Sequence, residues 1–198
     1  MELKPGSPAG VGRKIGVLKK MFRYCPACAS ERIVFERCRV FRCPDCGFTY
    51  YHNTAAAAAC IVKTAAGLVF LVRAKDPGKG RLDLPGGFVD PGEGAMEGLR
   101  RELIEEIGWD PGPLSGAGGR PCPLVASFPN QYPYKNIPYN TCDLFFFLDA
   151  PELTGDQLTI EAGEVDRVRF IRPGDLDMEE LAFGSVKRAL RAYLDLDL

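Results

Sequence analysis

The sequence predicts an α/β domain that is preceded by a small cysteine-rich module. From about residue 53 onward, strand-like segments alternate with helical patterns. Before that point the chain carries two Cys-x-x-Cys pairs. A chain of 198 residues, of which 46% are hydrophobic, is long enough for one sizeable core and an accessory module.

The composition excludes several classes of protein. A net charge of -1 is not that of a uniformly basic nucleic-acid binder. The longest apolar run, Ala55 to Val62, is much shorter than the ~20 residues that span a bilayer. The N-terminus has no secretory apolar region, and residues 1–20 form a mildly basic segment that we expect to be a flexible tail. We therefore expect a cytoplasmic protein with no membrane partner.

The paired cysteines predict a structural zinc ribbon over residues 21–52. Cys25 and Cys28 form the first pair, and Cys43 and Cys46 form the second. Two such pairs in sequence are typical of a closed site of four thiolates. Redox dithiols or two disulfides are the alternatives. Cys38, between the pairs, is predicted to be a bystander.

Residues 53–198 are predicted to form the main domain. Asp110–Pro123 is rich in glycine and proline and predicts a loop, and Glu179–Leu194 has the apolar spacing of a final helix. The predicted strands, in chain order, are Ala55–Lys63, Leu68–Lys75, Arg81–Pro85, Leu124–Phe128, Asp143–Asp149 and Val165–Ile171.

A first helix is predicted between the turn at Pro91-Gly92 and Gly108. Gly108 stands where a left-handed C-terminal cap is expected. The apolar residues between these ends recur at helical spacing and predict a face buried against a sheet. They are Met96, Leu99, Leu103 and Ile107.

Three glutamates of this helix predict a site for divalent cations. Glu102, Glu105 and Glu106 are spaced i, i+3 and i+4, so they share one face of the helix. Like charges in that arrangement destabilise a helix unless cations neutralise them, and Mg²⁺ or Mn²⁺ prefers oxygen ligands of this kind. A solvated acidic face is the alternative for the three glutamates alone.

The segment around these glutamates resembles the Nudix box, Gly-x5-Glu-x7-Arg-Glu-apolar-x-Glu-Glu-x-Gly-apolar. The positions that this pattern specifies are all filled, by Gly87, Glu93, Arg101, Glu102, Leu103, Glu105, Glu106, Gly108 and Trp109. The resemblance implies a mixed α/β/α sandwich and a hydrolase of nucleoside diphosphates linked to another group. The order of predicted strands and helices agrees with that fold.

The resemblance also implies roles for individual residues. Glu102 and Glu106 are expected to bind Mg²⁺ or Mn²⁺, and Glu105 is expected to be a third ligand or a base. Glu93 and Arg101 resemble the pair that holds the loop against the helix. In related enzymes a glutamate near the final strand assists the metals or acts as the base, and Glu164 is the candidate here, with a solvated loop residue as the alternative.

The zinc ribbon and the box together resemble the NADH pyrophosphatases. These enzymes carry a Ser-Gln-Pro-Trp-Pro-Phe-Pro-x-Ser motif after the box, whereas the segment from Ser127 to Lys135 keeps only a serine, prolines and aromatic residues. This segment is rigid and aromatic, so we expect it to contact substrate, although a surface loop with packed tyrosines is the alternative. The predicted substrate contacts are Gly86, Gly87, Phe128, Tyr132, Tyr134 and Lys135. Arg73, Lys75 and Lys79 are phosphate contacts or solvated residues.

The sequence therefore predicts a hydrolase that cleaves the pyrophosphate bond of an NADH, ADP-ribose or FAD type of molecule. A nucleotide sensor without turnover and a nucleic-acid binder acting through the ribbon are the alternatives. We expect a small nucleotide substrate rather than nucleic acid. Related enzymes are often dimers, so a homodimer is a further expectation.

Overall fold

The computed structural model describes residues 22–36, 39–114, 118–134 and 137–196. The predicted tail (1–20), Cys38 and Lys135 lie outside these ranges, and only the backbone of Tyr134 is described. The chain divides into two compact units. The first takes in the chain up to Thr54 together with Gln131–Asn140, and the second consists of Ala55–Asn130 and Thr141–Leu198.

The first unit contains a small antiparallel sheet. Its strands β1 (Val34–Glu36), β2 (Val40–Arg42) and β3 (Thr49–Tyr51) are adjacent in that order. Phe41, at the centre of β2, is fully buried and meets the ring of Phe22 edge to face at 4.9 Å. Apolar rings therefore supply most of the packing in this small unit.

The main sheet has a mixed strand order, as the α/β/α sandwich requires. Its strands are β4 (Ala55–Thr64), β5 (Gly67–Arg73), β6 (Leu82–Asp83), β7 (Gly86–Phe88), β8 (Leu124–Tyr134), β9 (Ile137–Asp149) and β10 (Val165–Ile171). The order across the sheet is β10-β5-β4-β9-β8, with β6 paired to β5 and β7 paired to β4. β4 and β9 are parallel, whereas β5 is antiparallel to β10 and to β4.

A helix covers each face of this sheet. Side chains alternate along β5, so Val69 and Leu71 join one core and Leu68 and Phe70 join the other. Helix α1 (Ala95–Ile107) packs on the first core through Leu99, Leu103 and Ile107, all fully buried. Helix α2 (Gly184–Leu194) packs on the second core, which contains its residues Val186, Ala189, Leu190 and Tyr193. The predicted α/β/α sandwich is confirmed.

Several predicted boundaries differ from the structure. Strand β8 continues beyond Phe128 through Pro129 and Pro133, and β9 begins at Ile137 rather than at Asp143. β8 is an edge strand, which is the position in a sheet where proline is tolerated. Helix α2 begins at Gly184 rather than near Glu179, because Leu181 forms a bridge with Leu82 and the N–H of Ala182 donates to the Leu82 carbonyl at 2.8 Å. The backbone at Leu181 and Ala182 is therefore bonded to the sheet and cannot form part of the helix.

Within the described part of the chain, no helix has the length and apolar character needed to cross a membrane.

Replacing Gly108 by alanine is expected to destabilise the second unit by about 2 kcal/mol. Gly108 ends α1 with φ 66°, and an added Cβ would lie 3.0 Å from the backbone oxygen and the Cβ of Thr159. Urea denaturation would measure the loss. Gly174→Ala is the control, since its Cβ would meet nothing within 4 Å; equal stabilities of the two variants would contradict this account of Gly108.

Candidate functional site

Helix α1 carries the predicted carboxylates, and local interactions fix where it begins and ends. At its start, the N–H of Gly94 donates to the Glu97 carboxylate at 2.7 Å. At its end, the N–H of Gly108 donates to the Ile104 carbonyl at 3.0 Å, and Trp109 donates to the Leu103 carbonyl at 3.2 Å. The left-handed glycine therefore closes the helix directly after the last glutamate.

Arg101 ties the preceding loop to this helix. Its Nε donates to Glu93 Oε1 at 2.8 Å and its Nη2 donates to Glu93 Oε2 at 3.0 Å, which is a bidentate ion pair. Nη2 also donates to the Phe88 carbonyl at 2.9 Å. The hydrogen bonds from Arg101 hold the pKa of Glu93 below its ordinary value. The loop and α1 are thus joined through one guanidinium group.

The same guanidinium contacts two of the three glutamates that are predicted to bind the metal. Arg101 Nη1 donates to Glu102 Oε1 at 2.8 Å and to Glu105 Oε2 at 3.0 Å. The Glu102 side chain is only 16% exposed, whereas that of Glu105 is 58% exposed. Arg101 is therefore the positive charge that partly neutralises this acidic face in the structure.

Glu102 and Glu106 face the glycines of β7. The N–H of Gly86 donates to Glu106 Oε2 at 2.8 Å. A Cβ added to Gly87 would lie 2.5 Å from the carboxyl carbon of Glu102, so only glycine leaves room for that carboxylate. The predicted glycines and glutamates therefore meet, with the backbone of β7 against the acidic face of α1.

The electrostatics of these two carboxyls favour a cation between or beside them. Burial raises the pKa of Glu106 well above its ordinary value; the Gly86 N–H lowers it, and the charges on Glu102, Asp83 and Glu164 raise it further. Burial also raises the pKa of Glu102, against the effect of Arg101. These raised pKa values mean that the nearby positive charge does not fully stabilise the ionised carboxylates. The two carboxyls therefore suit a hard divalent cation.

The carboxylate oxygens are nevertheless not drawn into one tight cluster. In the ranges that the structure describes, only the four cysteines form a group of three or more metal-binding side chains whose ligand atoms lie within 4.8 Å of one another. Glu105 is directed to Arg101, and this contact would have to open for Glu105 to join Glu102 and Glu106 around one ion.

Glu164 lies at the beginning of β10, near the acidic face of α1. The N–H of Ala74 donates to its backbone carbonyl at 2.9 Å, and its side chain forms an ion pair with Lys75. Its charge raises the pKa of Glu102 and of Glu106. Lys75 therefore lies beside a carboxylate, and its side chain is 50% exposed.

Asp83 belongs to this electrostatic group, although the sequence analysis did not single it out. It forms a buried ion pair with Arg73, at 2.7 Å, and burial raises its pKa to about 6 despite that partner. The signal available in the sequence is one acidic residue between Leu82 and Leu84, directly before the glycine turn. Arg73 also donates to the Pro77 carbonyl at 2.6 Å, and its side chain is 16% exposed.

The predicted aromatic contacts belong to different units. Phe128 joins the core under α2, where its ring lies 6.4 Å from that of Phe145 and 5.0 Å from the Arg188 guanidinium. This is the face of the sheet opposite α1. Tyr132 belongs to the first unit.

The four cysteines of the first unit converge. The Sγ atoms of Cys25 and Cys46 are 3.6 Å apart, as are those of Cys28 and Cys43. A tetrahedral zinc ion with Zn–S bonds of ≈ 2.3 Å requires sulfurs about 3.8 Å apart. The left-handed Gly47, φ 76°, allows its N–H to return to the Cys43 carbonyl at 3.0 Å. The thiols are thus arranged as a metal site requires.

The family model of the NUDIX domain matches residues 53–193. The chain therefore belongs to the NUDIX domain family, as the box predicted.

Curated relatives carry the name NAD-capped RNA hydrolase NudC. The protein from Stutzerimonas stutzeri is 28% identical over 127 residues, which cover 62% of this chain and 46% of the relative. The protein from Deinococcus radiodurans is 23% identical over 185 residues, covering 92% of this chain and 60% of the relative. The chain spans about half the length of the curated relatives it matches.

Solved structures show the same fold. A NUDIX hydrolase from Nitrosomonas europaea has a TM-score of 0.58 at 18% identity, covering 88% of this chain and 91% of its own. The NUDIX domain of Shewanella oneidensis NrtR, complexed with ADP ribose, has a TM-score of 0.54 at 16% identity, covering 73% and 89%.

Replacing Gly87 by alanine is expected to weaken Mn²⁺ binding by roughly tenfold, which is about 1.4 kcal/mol. The added Cβ displaces the Glu102 carboxylate, which lies at the end of a flexible side chain, so the fold is retained. Calorimetric titration with Mn²⁺ would measure the affinity. Gly94→Ala, whose Cβ would meet only Glu97 Oε2 at 3.4 Å, should bind like the wild type. Unchanged affinity in Gly87→Ala would show that Glu102 is not a ligand.

Proposed function

We propose that this protein hydrolyses the pyrophosphate bond of a nucleoside diphosphate derivative of the NADH, ADP-ribose or FAD type, using Mg²⁺ or Mn²⁺. The observation that carries the proposal is the intact box, whose glutamates lie on one face of α1 and are joined to the preceding loop through Arg101. Family membership supports the type of reaction. The specific substrate is part of the proposal.

Glu102 and Glu106 are the proposed metal ligands, with Glu105 as the third. A divalent ion held there would neutralise the pyrophosphate charge and lower the pKa of a bound water. Gly86 donates to Glu106 and keeps its carboxylate against β7, whereas Gly87 leaves space for that of Glu102. The two buried carboxylates therefore have fixed positions before substrate binds.

Glu93 and Arg101 have a positioning role in this proposal. Their bidentate pair holds the loop after β7 close to α1. Arg101 contacts Glu105 through Nη1, whereas it contacts Glu93 through Nε and Nη2. Glu105 can therefore turn toward a cation while the pair between Arg101 and Glu93 stays in place. The loop can thus stay fixed while the acidic face gains a ligand.

Glu164 is the proposed base, and Glu105 is the alternative. Water attacks one phosphorus atom, its proton passes to the carboxylate, and the bridging P–O bond breaks so that the other phosphate leaves. The Glu164 side chain forms an ion pair with Lys75, and its charge acts on Glu102 and Glu106. The side chain is 50% exposed, so water can reach it.

Zinc is the proposed occupant of the four-cysteine site, with a structural role. Four sulfur ligands leave no open position for a substrate, which is typical of structural zinc.

Turnover should require Mg²⁺ or Mn²⁺ and should be lost in Glu106→Gln, because the neutral amide is a poor ligand for a hard cation. Chromatography of reactions with NADH, ADP-ribose, FAD, diadenosine polyphosphates and nucleoside triphosphates would identify the products. The name of the relatives adds RNA with an NAD cap to this panel. A fall of at least about 10²-fold in kcat is expected for Glu106→Gln.

The controls for this screen separate the alternatives. Glu152→Gln changes an exposed glutamate that pairs with Arg120 in the same unit, and it should keep full activity. Nucleotide binding without turnover of any compound would favour the sensor, and full activity of Glu106→Gln would remove this residue from the metal site.

Purified protein should contain about one zinc ion per chain, measured by mass spectrometry. Cys46→Ser is expected to lose most of this zinc and to unfold the first unit, since small zinc modules rarely fold without the ion. Cys142→Ser, at an exposed cysteine of the second unit, is the matched control. Absence of zinc from protein prepared under reducing, zinc-replete conditions would contradict the assignment.

A further inference from the structure

A cleft of about 460 Å³ lies along α1, on the flank that does not face β7. Met96 and Ile104 of α1 form one side of it, and Pro113 and Leu114 of the following loop form the other. A volume of this size falls in the range of small-molecule sites, ≈ 300–1,000 Å³. We call it the α1 cleft.

The lining of the α1 cleft combines apolar and charged side chains. Ile104 is 41% exposed and lies among charged residues of the lining. Met96 is only partly buried, so part of its side chain faces the cleft rather than the core. The apolar part of the lining, formed by Met96, Ile104, Pro113 and Leu114, favours a flat, apolar ligand group.

Arg100 supplies a rigid flat surface at this site. Its Nε and Nη2 donate to the two carboxylate oxygens of Asp110, at 2.7 and 2.6 Å, and the N–H of Gly112 donates to Asp110 at 2.9 Å. These bonds hold the plane of the guanidinium in one orientation. Guanidinium planes held in this way stack on nucleobases.

The charges of the α1 cleft disfavour a phosphate as the bound group. Arg100 is already paired with Asp110, and Arg101 is paired with Glu93 and Glu105. Glu97 and Glu105 add negative charge to the lining. The Glu97 carboxylate is exposed and can accept a hydrogen bond from an amino group. The chemistry therefore suits a neutral heterocycle that carries an amino or amide group.

The α1 cleft is continuous with the acidic face. Arg101 and Glu105 line the cleft, and the same two side chains meet at 3.0 Å within the carboxylate group. The cleft and the carboxylate group are therefore adjacent, with Arg101 and Glu105 common to both.

We propose that the α1 cleft binds the base of one nucleoside of the substrate, stacked between Arg100, Met96 and Ile104. This inference rests on the proposed function for the identity of the ligand. It adds a subsite on α1 itself, and it does not require the aromatic segment from Ser127 to Lys135.

Calorimetry with Mn²⁺-loaded protein tests the proposal without turnover. The probes are AMP and ribose 5-phosphate, which lacks the base. The wild type should bind AMP at least about tenfold more tightly than ribose 5-phosphate. Ile104→Gln, a polar residue of similar length at an exposed helical position, should remove most of this difference and leave ribose 5-phosphate unaffected.

Leu124→Gln is the matched control, because Leu124 is an exposed aliphatic residue of β8, 54% exposed and outside the cleft lining. It should bind both probes like the wild type. Equal affinity of the wild type for the two probes, no binding of either, or wild-type AMP binding by Ile104→Gln would each overturn the proposal. A base preference that depends on Ile104, in a protein that hydrolyses nothing in the substrate panel, would support the cleft and refute the proposed function.

Discussion

The ion pairs of Arg101 are the interaction on which the candidate site depends. One guanidinium binds Glu93 through two hydrogen bonds, reaches the Phe88 carbonyl, and contacts Glu102 and Glu105. Without it, Glu93, Glu102 and Glu105 would lose the cation that contacts all three, and the loop after β7 would lose its main polar contact with the helix. The arrangement thus combines a structural link with partial charge neutralisation, and it leaves the remaining neutralisation to a metal ion.

The fold places this acidic face by two close backbone contacts. β7 pairs with β4 through Gly86 and Gly87, which brings backbone without side chains against Glu106 and Glu102. At the other end of α1, the loop before β10 crosses the helix terminus, and the N–H of Glu161 donates to the Glu106 carbonyl at 3.1 Å. Gly87 is required by its proximity to Glu102, and its replacement would move that carboxylate, whereas a side chain at Gly86 would meet the backbone of Ala58 and Ala59.

The features that could be predicted from the sequence are those that depend on residues close together in the chain. Helix α1 and the Gly108 cap follow from apolar spacing and a left-handed glycine, and β10 was predicted with its observed bounds. The start of α2 was wrong because the Leu181–Leu82 bridge joins distant residues, and β8 was predicted too short because its edge position is a property of the whole sheet. Likewise, Asp83 could not be recognised without knowing that burial raises its pKa and that its charge acts on Glu106.

The most direct test of the metal-site model is anomalous diffraction from crystals containing Mn²⁺. The account predicts a manganese peak about 2.2 Å from carboxylate oxygens of both Glu102 and Glu106, with Arg101 still bidentate on Glu93 and Glu105 released from it. Manganese bound only at exposed carboxylates away from α1, or an Arg101 side chain that has left Glu93 when the ion binds, would contradict it.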